Sequence, residues 1–326
     1  MKKNPIRIEK AGDSEYKIVE WKLHNVCNHK CSYCGEENKD GSNRWKSLET
    51  YKQYFDNLHR AANGAPLWVQ LTGGEPTLFP ELLELMKYIK QKGTYLSMIT
   101  NGSRTIRWWK ETRDARVLDM LVVTYHPEQT NDYHHIIEVL NLFQDEPTET
   151  VCKTTHSKGL LDRAFADTEY ITNNTGAMTS VGHMIINDYD IYASYTPEQF
   201  EKLKQVSMVR GKFADTKKET SVPLKHRYMH LFINVTFDDN TVEEMRAQLF
   251  MKNYKPKFKN WRCANSKYIM KLENDLVYRG ICGVGKITNI NDPKLQFNED
   301  YITCTKNTCD CRLDLTSTRY LKNDTD

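Results

Sequence analysis

Three cysteines lie close together near the start of the chain, in the segment CNHKCSYC: Cys27, Cys31 and Cys34. Thiolates bind zinc and iron–sulfur clusters, and three of them can hold three irons of a 4Fe–4S cube. The fourth iron would then be free to bind a small chelating molecule. A structural zinc site needs a fourth ligand, which His24 or His29 could supply. The C-x3-C-x2-C spacing is unlike the paired C-x2-C motifs of zinc ribbons, so it favours the cluster, with zinc as the alternative.

The elements that carry these cysteines are predicted from hydrophobic periodicity, because strand-like and helix-like segments alternate over roughly the first 205 residues. The predicted strands cover residues 18–23, 67–71, 95–100, 117–125, 150–155 and 178–186, and the helices that follow them lie near 51–62, 80–92, 106–113, 132–143, 160–171 and 196–206. Six βα units with right-handed crossovers predict an α/β fold, a partial (βα)6 barrel of the TIM type. Chemistry in such barrels lies in the loops after the strands. The cysteine triplet follows the first predicted strand, and GGEP follows the second.

A second group of cysteines lies in the C-terminal part of the chain, where the βα rhythm ends. We predict a (βα)6 core over residues 1–206, a linker with a connecting strand and helix over 207–260, and a small cysteine-rich β-hairpin domain over 261–326. Alternating apolar residues predict the hairpin itself over 269–278. The cysteines of this part flank the hairpin or follow it: Cys263, Cys282, Cys304, Cys309 and Cys311.

Composition excludes several other classes of protein. The chain has 326 residues, and its 46 Lys and Arg against 43 Asp and Glu are spread along it, so nucleic acid is not an expected partner. The start lacks an apolar signal-peptide core, and no stretch of about 18 apolar residues follows. We therefore predict a cytoplasmic protein without a membrane partner. Nine cysteines, an odd number, in a reducing compartment indicate metal ligands or catalytic groups rather than disulfides.

At this point the sequence resembles the radical S-adenosylmethionine (radical SAM) superfamily. The residues that carry the resemblance are Cys27, Cys31, Cys34 and the aromatic Tyr33 in CNHKCSYC, and Gly73, Gly74, Glu75 and Pro76 in LTGGEPTLF. The resemblance covers about 190 residues, and its two motifs occur in the expected order on the expected elements. It implies a 4Fe–4S cluster whose open iron binds SAM, and a 5′-deoxyadenosyl radical that takes hydrogen from a substrate. An electron donor such as flavodoxin or ferredoxin is implied as a partner.

The resemblance also implies roles for residues around SAM. Gly73 and Gly74 would allow a close approach and supply backbone groups at the amine of SAM. Glu75, with Pro76 fixing the turn behind it, would support the strand edge or bind the ammonium group. Tyr33 would lie near the adenine. At the end of the fourth strand, Thr124 and His126 would reach the ribose or the carboxylate, while the alternative for His126 is a hydrogen-bonded residue of the barrel rim.

The C-terminal cysteines resemble the auxiliary-cluster domains called twitch and SPASM. Two departures are clear: a full SPASM domain has seven or more cysteines, and twitch usually ends in C-x2-C, whereas this chain has five and ends in C-x4-C-x-C. The resemblance therefore implies one second 4Fe–4S cluster, held by Cys263, Cys282 and two of the three later cysteines. A structural zinc ion is the alternative. The remaining Cys152 is predicted to be a buried residue of the fifth strand.

The predicted function is that of a radical SAM enzyme of the oxidoreductase type. We expect it to abstract hydrogen from a small polar substrate, a sugar, polyol or nucleoside-like molecule, with the second cluster assisting oxidation. The alternative is a maturase that modifies a peptide or protein, and the short segment before the first strand weakens this alternative, because such maturases often begin with a leader-binding domain. A hypothesis of a different class is a non-catalytic zinc or iron–sulfur protein.

Overall fold

The computed structural model describes residues 3–11, 16–182, 196–199, 209–210, 232–284, 287–297, 300–307, 309 and 313–321. The strands, in chain order, are β1 Pro5–Lys10, β2 Lys17–Lys22, β3 Leu67–Thr72, β4 Tyr95–Thr100, β5 Met120–Tyr125, β6 Glu149–Thr155, β7 Met178–Gly182, β8 Val209–Arg210, β9 Phe232–Phe237, β10 Val242–Arg246, β11 Trp261–Cys263, β12 Ile269–Glu273, β13 Leu276–Arg279, β14 Ile287–Asn289, β15 Ile302–Thr303 and β16 Arg319–Leu321. The helices are α1 Leu48–Ala61, α2 Leu82–Gln91, α3 Ile106–Asp114, α4 Tyr133–Leu142, α5 Leu161–Asn174, α6 Ala247–Tyr254 and α7 Asn265–Tyr268.

The chain divides into two compact units. We call Trp21–Asp56 with Trp68–Glu219 the βα unit, and Met1–Glu20 with Asn57–Leu67 and Thr220–Asp326 the terminal unit. The boundaries of these units differ from the predicted domain ranges 1–206, 207–260 and 261–326. Those ranges remain a prediction.

In the βα unit, neighbouring strands of the sheet follow their order in the chain from β3 to β8. Strands β3 to β7 pair parallel with one another, and β8 pairs antiparallel with β7. The middle strands bury apolar side chains completely: Val69, Leu71, Leu96, Met98, Leu121 and Val123. Near-continuous apolar runs of this kind are expected for parallel strands covered on both faces. The predicted α/β class is confirmed.

The predicted elements of this unit occur with small shifts. The fourth strand begins at Met120, three residues later than predicted, and the sixth is described only as far as Gly182. The helix predicted over 196–206 lies mostly outside the described residues. Ser47 accepts a hydrogen bond from the backbone N–H of Thr50 at 3.2 Å and so caps α1.

The terminal unit contains an antiparallel sheet in the order β10-β9-β1-β16-β11-β15. The segment predicted as a single connecting strand is β9, which pairs with both β1 and β10. Its alternate residues Ile233, Val235 and Phe237 are fully buried, and this burial is why it is a central strand rather than part of a linker.

The predicted hairpin is also part of the terminal unit. Strands β12 and β13 pair antiparallel, with Leu272 opposite Val277, and Asn274 takes a positive φ of 57° in the turn. Strand β14 adds to the other edge of β13. The hairpin therefore separates Cys263 from Cys282 in the chain, as the sequence indicates.

Candidate functional site

The cysteine triplet lies in the loop that follows β2. Burial, with smaller contributions from the neighbouring Glu75, Cys31 and Cys34, raises the pKa of the Cys27 thiol to about 11. Burial likewise raises the pKa values of Cys31 and Cys34. A thiol with a raised pKa stays protonated at neutral pH unless a cation replaces its proton. Three thiols in one loop are a donor set that suits a metal centre or an iron–sulfur cluster.

The GGEP loop after β3 packs against the backbone just before the triplet. A Cβ atom on Gly73 would lie 2.6 Å from the carbonyl oxygen of His24, and one on Gly74 would lie 2.3 Å from that of Val26. Two backbone hydrogen bonds of 2.8 Å join the segments, from Gly74 N–H to His24 and from Glu75 N–H to Val26. Only glycine fits this close approach, because any side chain would overlap backbone atoms.

Glu75 is fully buried and links the GGEP loop to the end of β4. Its Oε1 accepts hydrogen bonds from Thr77 N–H at 3.0 Å, Thr77 O–H at 2.6 Å and Thr100 O–H at 2.7 Å. Its Oε2 accepts from the backbone N–H of Asn101 at 2.6 Å. Burial raises the pKa of this carboxyl, and the four donors act in the opposite direction. Of the two roles predicted for Glu75, this geometry favours support of the strand edge. Pro76 begins the short 3-10 helix behind it.

The end of β5 meets the triplet through an aromatic pair. Nδ1 of His126 lies 2.5 Å from the Tyr33 hydroxyl and 3.6 Å from Sγ of Cys31. The Tyr33 hydroxyl also donates to the carbonyl oxygen of Thr155 at 3.1 Å. Since a carbonyl only accepts, the Tyr33 oxygen is left to accept from His126, which places the proton on Nδ1. The pKa of His126 is lowered to about 3 by burial, with His29 and Lys153 nearby, so the ring is neutral.

His126 is therefore a hydrogen-bonded residue at the end of β5, and its ring also faces Cys31 of the triplet. Thr124, two residues earlier on β5, is half-buried and pairs in register with Lys153.

Two residues that sequence reasoning missed hold the triplet loop from the same side. Oε1 of Gln129 accepts a hydrogen bond from the backbone N–H of Lys30 at 2.9 Å. Oε2 of Glu128 accepts one from the backbone N–H of Ser32 at 3.1 Å. Both follow the carboxyl end of a barrel strand, and that position was the available signal. We call residues 126–129 the HPEQ clamp.

One alternative metal site overlaps the triplet. Ligand atoms of His29, Cys31 and His126 all lie within 4.8 Å of one another. A single ion held there would compete with the cluster for Cys31.

Four cysteines of the terminal unit line one pocket: Cys263, Cys282, Cys304 and Cys309. Asp314, Arg319 and Lys306 line it as well. Burial raises the pKa of Cys282 to about 12, and it raises the pKa values of Cys263 and Cys309. The predicted ligand Cys311 lies outside the described residues.

Comparison with known proteins gives matches to the part of the chain that holds the triplet and the GGEP loop. Residues 21–154 match the Radical SAM superfamily. A probable GTP 3′,8-cyclase of Thermococcus kodakarensis is 28% identical over 235 residues, which are 69% of this chain and 74% of that protein. An S-adenosylmethionine-dependent nucleotide dehydratase of Psychrobacter lutiphocae is 32% identical over 98 residues, 27% of this chain and 33% of that protein.

Among solved structures, Streptococcus suis SuiB bound to its precursor peptide SuiA has a TM-score of 0.52 and 14% identity. The match covers 88% of this chain and 66% of SuiB. At this identity the likeness concerns the fold alone. Within the described residues, no helix is long and apolar enough to cross a membrane.

Proposed function

The chain is a radical SAM enzyme, and from this premise we propose that it abstracts hydrogen from a nucleoside-like or other small polar substrate, with a second cluster that assists oxidation. The family implies a 4Fe–4S cluster and SAM, and we assign them to Cys27, Cys31 and Cys34 with the GGEP loop. The observation that carries the proposal is the contact between these two motifs, where backbone hydrogen bonds of 2.8 Å join GGEP to the segment just before the triplet.

The residues around the triplet fit this assignment. When bound, the cluster and SAM supply the abstraction of a hydrogen atom, and the chain supplies position. The close approach of Gly73 and Gly74 keeps the backbone next to the triplet free of side chains. Tyr33 and His126 fix each other by their 2.5 Å contact, while Glu128 holds the loop N–H of Ser32 and Gln129 holds that of Lys30.

The substrate class rests on the curated relatives. One curated relative is a probable GTP 3′,8-cyclase matched over 74% of its length, and another is an S-adenosylmethionine-dependent nucleotide dehydratase. These names favour the nucleoside-like member of the predicted set of sugars, polyols and nucleosides. The peptide alternative rests on a likeness of fold at 14% identity and so gains no substrate argument.

The second cluster is assigned to the pocket of the terminal unit. Four cysteines that line one pocket can ligate all four irons of a cubane. A cluster in which each of the four irons has a cysteine ligand leaves no open position for a substrate. We therefore propose electron transfer, rather than substrate anchoring, as the role of this centre.

The experiment that tests the proposal is anaerobic reconstitution followed by reduction in the presence of SAM. We expect about eight irons per chain and the release of 5′-deoxyadenosine. Replacing Cys27, Cys31 and Cys34 by Ala should abolish the release and remove about half the iron. Replacing the buried Cys152 by Ala is the matched control and should change neither. Stoichiometric zinc at the triplet, with no affinity for SAM, would contradict the assignment.

A separate experiment tests the substrate class. Nucleoside triphosphates deuterated on the ribose are incubated with the enzyme, SAM and a flavodoxin or ferredoxin reducing system. Deuterium in the 5′-deoxyadenosine identifies the molecule that loses hydrogen. Transfer from none of the nucleotides, with transfer from a deuterated peptide, would favour the maturase alternative.

A further inference from the structure

A buried guanidinium group lies among the cysteines of the terminal-unit pocket. Arg319 is 2% exposed and lines the same pocket as Cys263 and Cys309. Its Nε donates to the carbonyl oxygen of Ser317 at 3.4 Å, and its NH2 group donates to that of Asp314. These bonds fix the side chain at the end of the 313–317 turn. A buried charge is costly unless it is compensated, so Arg319 needs negative charge close to it.

The buried carboxyl of Asp314 supplies part of that negative charge, and the thiol groups supply more when they bind a metal centre. The guanidinium also stacks over Phe258 at 4.9 Å from the ring centroid, which closes the other side. Arg319 is thus placed as a permanent cation that faces thiolates in a low-dielectric pocket.

A second side chain makes a hydrogen bond to one of the cysteines. Nδ2 of Asn265 lies 3.5 Å from Sγ of Cys282. The hydroxyl of Ser317 donates to Oδ1 of Asn265 at 3.2 Å, and this bond orients the amide with its N–H groups toward the sulfur. Gly280 makes room for the amide, because a Cβ there would lie 1.8 Å from Nδ2.

Asp314 has a different role in the same pocket. Its carboxylate oxygens accept hydrogen bonds from the backbone N–H groups of Ile281 at 3.0 Å and Cys282 at 2.7 Å. It therefore holds the backbone that presents Cys282. Its charge also lies close to Cys282 and Arg319, whereas Arg319 and Asn265 present N–H donors to the pocket.

We propose that Arg319 and Asn265 are positioning residues that raise the reduction potential of the second cluster, Arg319 by its charge and Asn265 by its N–H···S bond. This inference rests on the proposed assignment of that cluster to the pocket. A cluster held by four thiolates carries net negative charge, and reduction adds one more electron to it. A fixed cation and hydrogen bonds to sulfur stabilise the reduced state more than the oxidised state, so both raise the potential.

The test is a redox titration followed by electron paramagnetic resonance. It uses the full chain with Cys27, Cys31 and Cys34 replaced by Ala, so that the signal comes from the second cluster alone. In this background Arg319→Gln removes the charge, Arg319→Lys keeps the charge but loses the planar fork, and Asn265→Ala removes the N–H···S bond. The matched control is Arg262→Gln, which removes a guanidinium from β11 that bonds Thr303 outside the pocket lining.

We expect Arg319→Gln to lower the reduction equilibrium constant at least tenfold, which is about 59 mV for a one-electron couple. Arg319→Lys and Asn265→Ala should lower the potential by less, and Arg262→Gln should leave it unchanged. If Arg319→Gln fails to assemble the cluster, the other two variants decide. Unchanged potentials in proteins that hold about four irons would overturn the inference. Absence of iron from the background protein itself would instead refute the assignment of the cluster.

Discussion

Gly74→Ala should displace the loop that joins GGEP to the cysteine triplet. The added Cβ would lie 2.3 Å from the carbonyl oxygen of Val26 and 2.8 Å from the carbonyl carbon of Asn25. These neighbours are backbone atoms of the segment that leads into the triplet, so no side-chain rotation relieves the overlap. The two segments must separate by about 1 Å before the contact reaches the ordinary range above 3.4 Å.

The cost follows from what that separation breaks. The hydrogen bonds from Gly74 to His24 and from Glu75 to Val26, each 2.8 Å long, would be lost. Two such bonds contribute about 1 kcal/mol each, and overpacking of a close contact costs about 1–3 kcal/mol more. We therefore expect a loss of roughly 3–5 kcal/mol in the free energy of unfolding. At about 2–4 °C for each kcal/mol, this corresponds to a fall of roughly 10 °C in Tm.

The assay combines calorimetry with iron content and SAM binding on anaerobically purified protein. The matched control is Gly159→Ala, because a Cβ at Gly159 meets no atom within 4 Å. The control should melt and bind iron as the parent does, whereas Gly74→Ala should lose both stability and SAM affinity. If Gly74→Ala melts within 2 °C of the parent, where 2 °C is about the shift for 1 kcal/mol, and keeps its SAM affinity, the close approach does not support the site as reasoned here.

Three further predictions concern residues of the βα unit. Glu128→Ala removes a hydrogen bond from the HPEQ clamp and should speed iron loss to a chelator about tenfold, equivalent to about 1.4 kcal/mol, while the exposed Glu138→Ala should not. Cys152→Ala should lower Tm by a few degrees, through about 1 kcal/mol of lost burial, and leave the iron content unchanged; loss of iron would make Cys152 a ligand. Glu75→Gln replaces one carboxylate oxygen by an N–H₂ group, which must then face a donor: the N–H of Asn101 at Oε2, or the groups of Thr77 and Thr100 at Oε1. We expect this to lower the free energy of unfolding by about 1–3 kcal/mol, measured by thermal unfolding. An unchanged Tm would show that the buried network is not fully formed.

Much of the βα unit could be predicted from the sequence because its signals are local. Apolar periodicity within each segment fixed strand and helix, and parallel strands put the loops after β2 and β3 at the same edge. The triplet and GGEP are continuous motifs, so they could be identified from the sequence alone as the candidate sites for the cluster and SAM. The hairpin of the terminal unit was predictable for the same reason, since β12, its turn and β13 are adjacent in the chain.

The tertiary structure decided what depends on residues distant in the chain. In the HPEQ clamp, Gln129 accepts from the N–H of Lys30 and Glu128 from that of Ser32, each almost a hundred residues earlier in the chain. Their position after β5 marks them as candidate site residues, but no local pattern identifies these N–H groups as their partners. The central position of β9 follows from its pairing with β1, more than two hundred residues away in the chain. Arg319 reads in the sequence as an ordinary charged residue near the C-terminus, and folding places it among thiols because the sheet sets β16 beside β11. Hydrophobic periodicity indicates which face of a helix or strand is buried. Which element packs against that face depends on the folding of the whole chain.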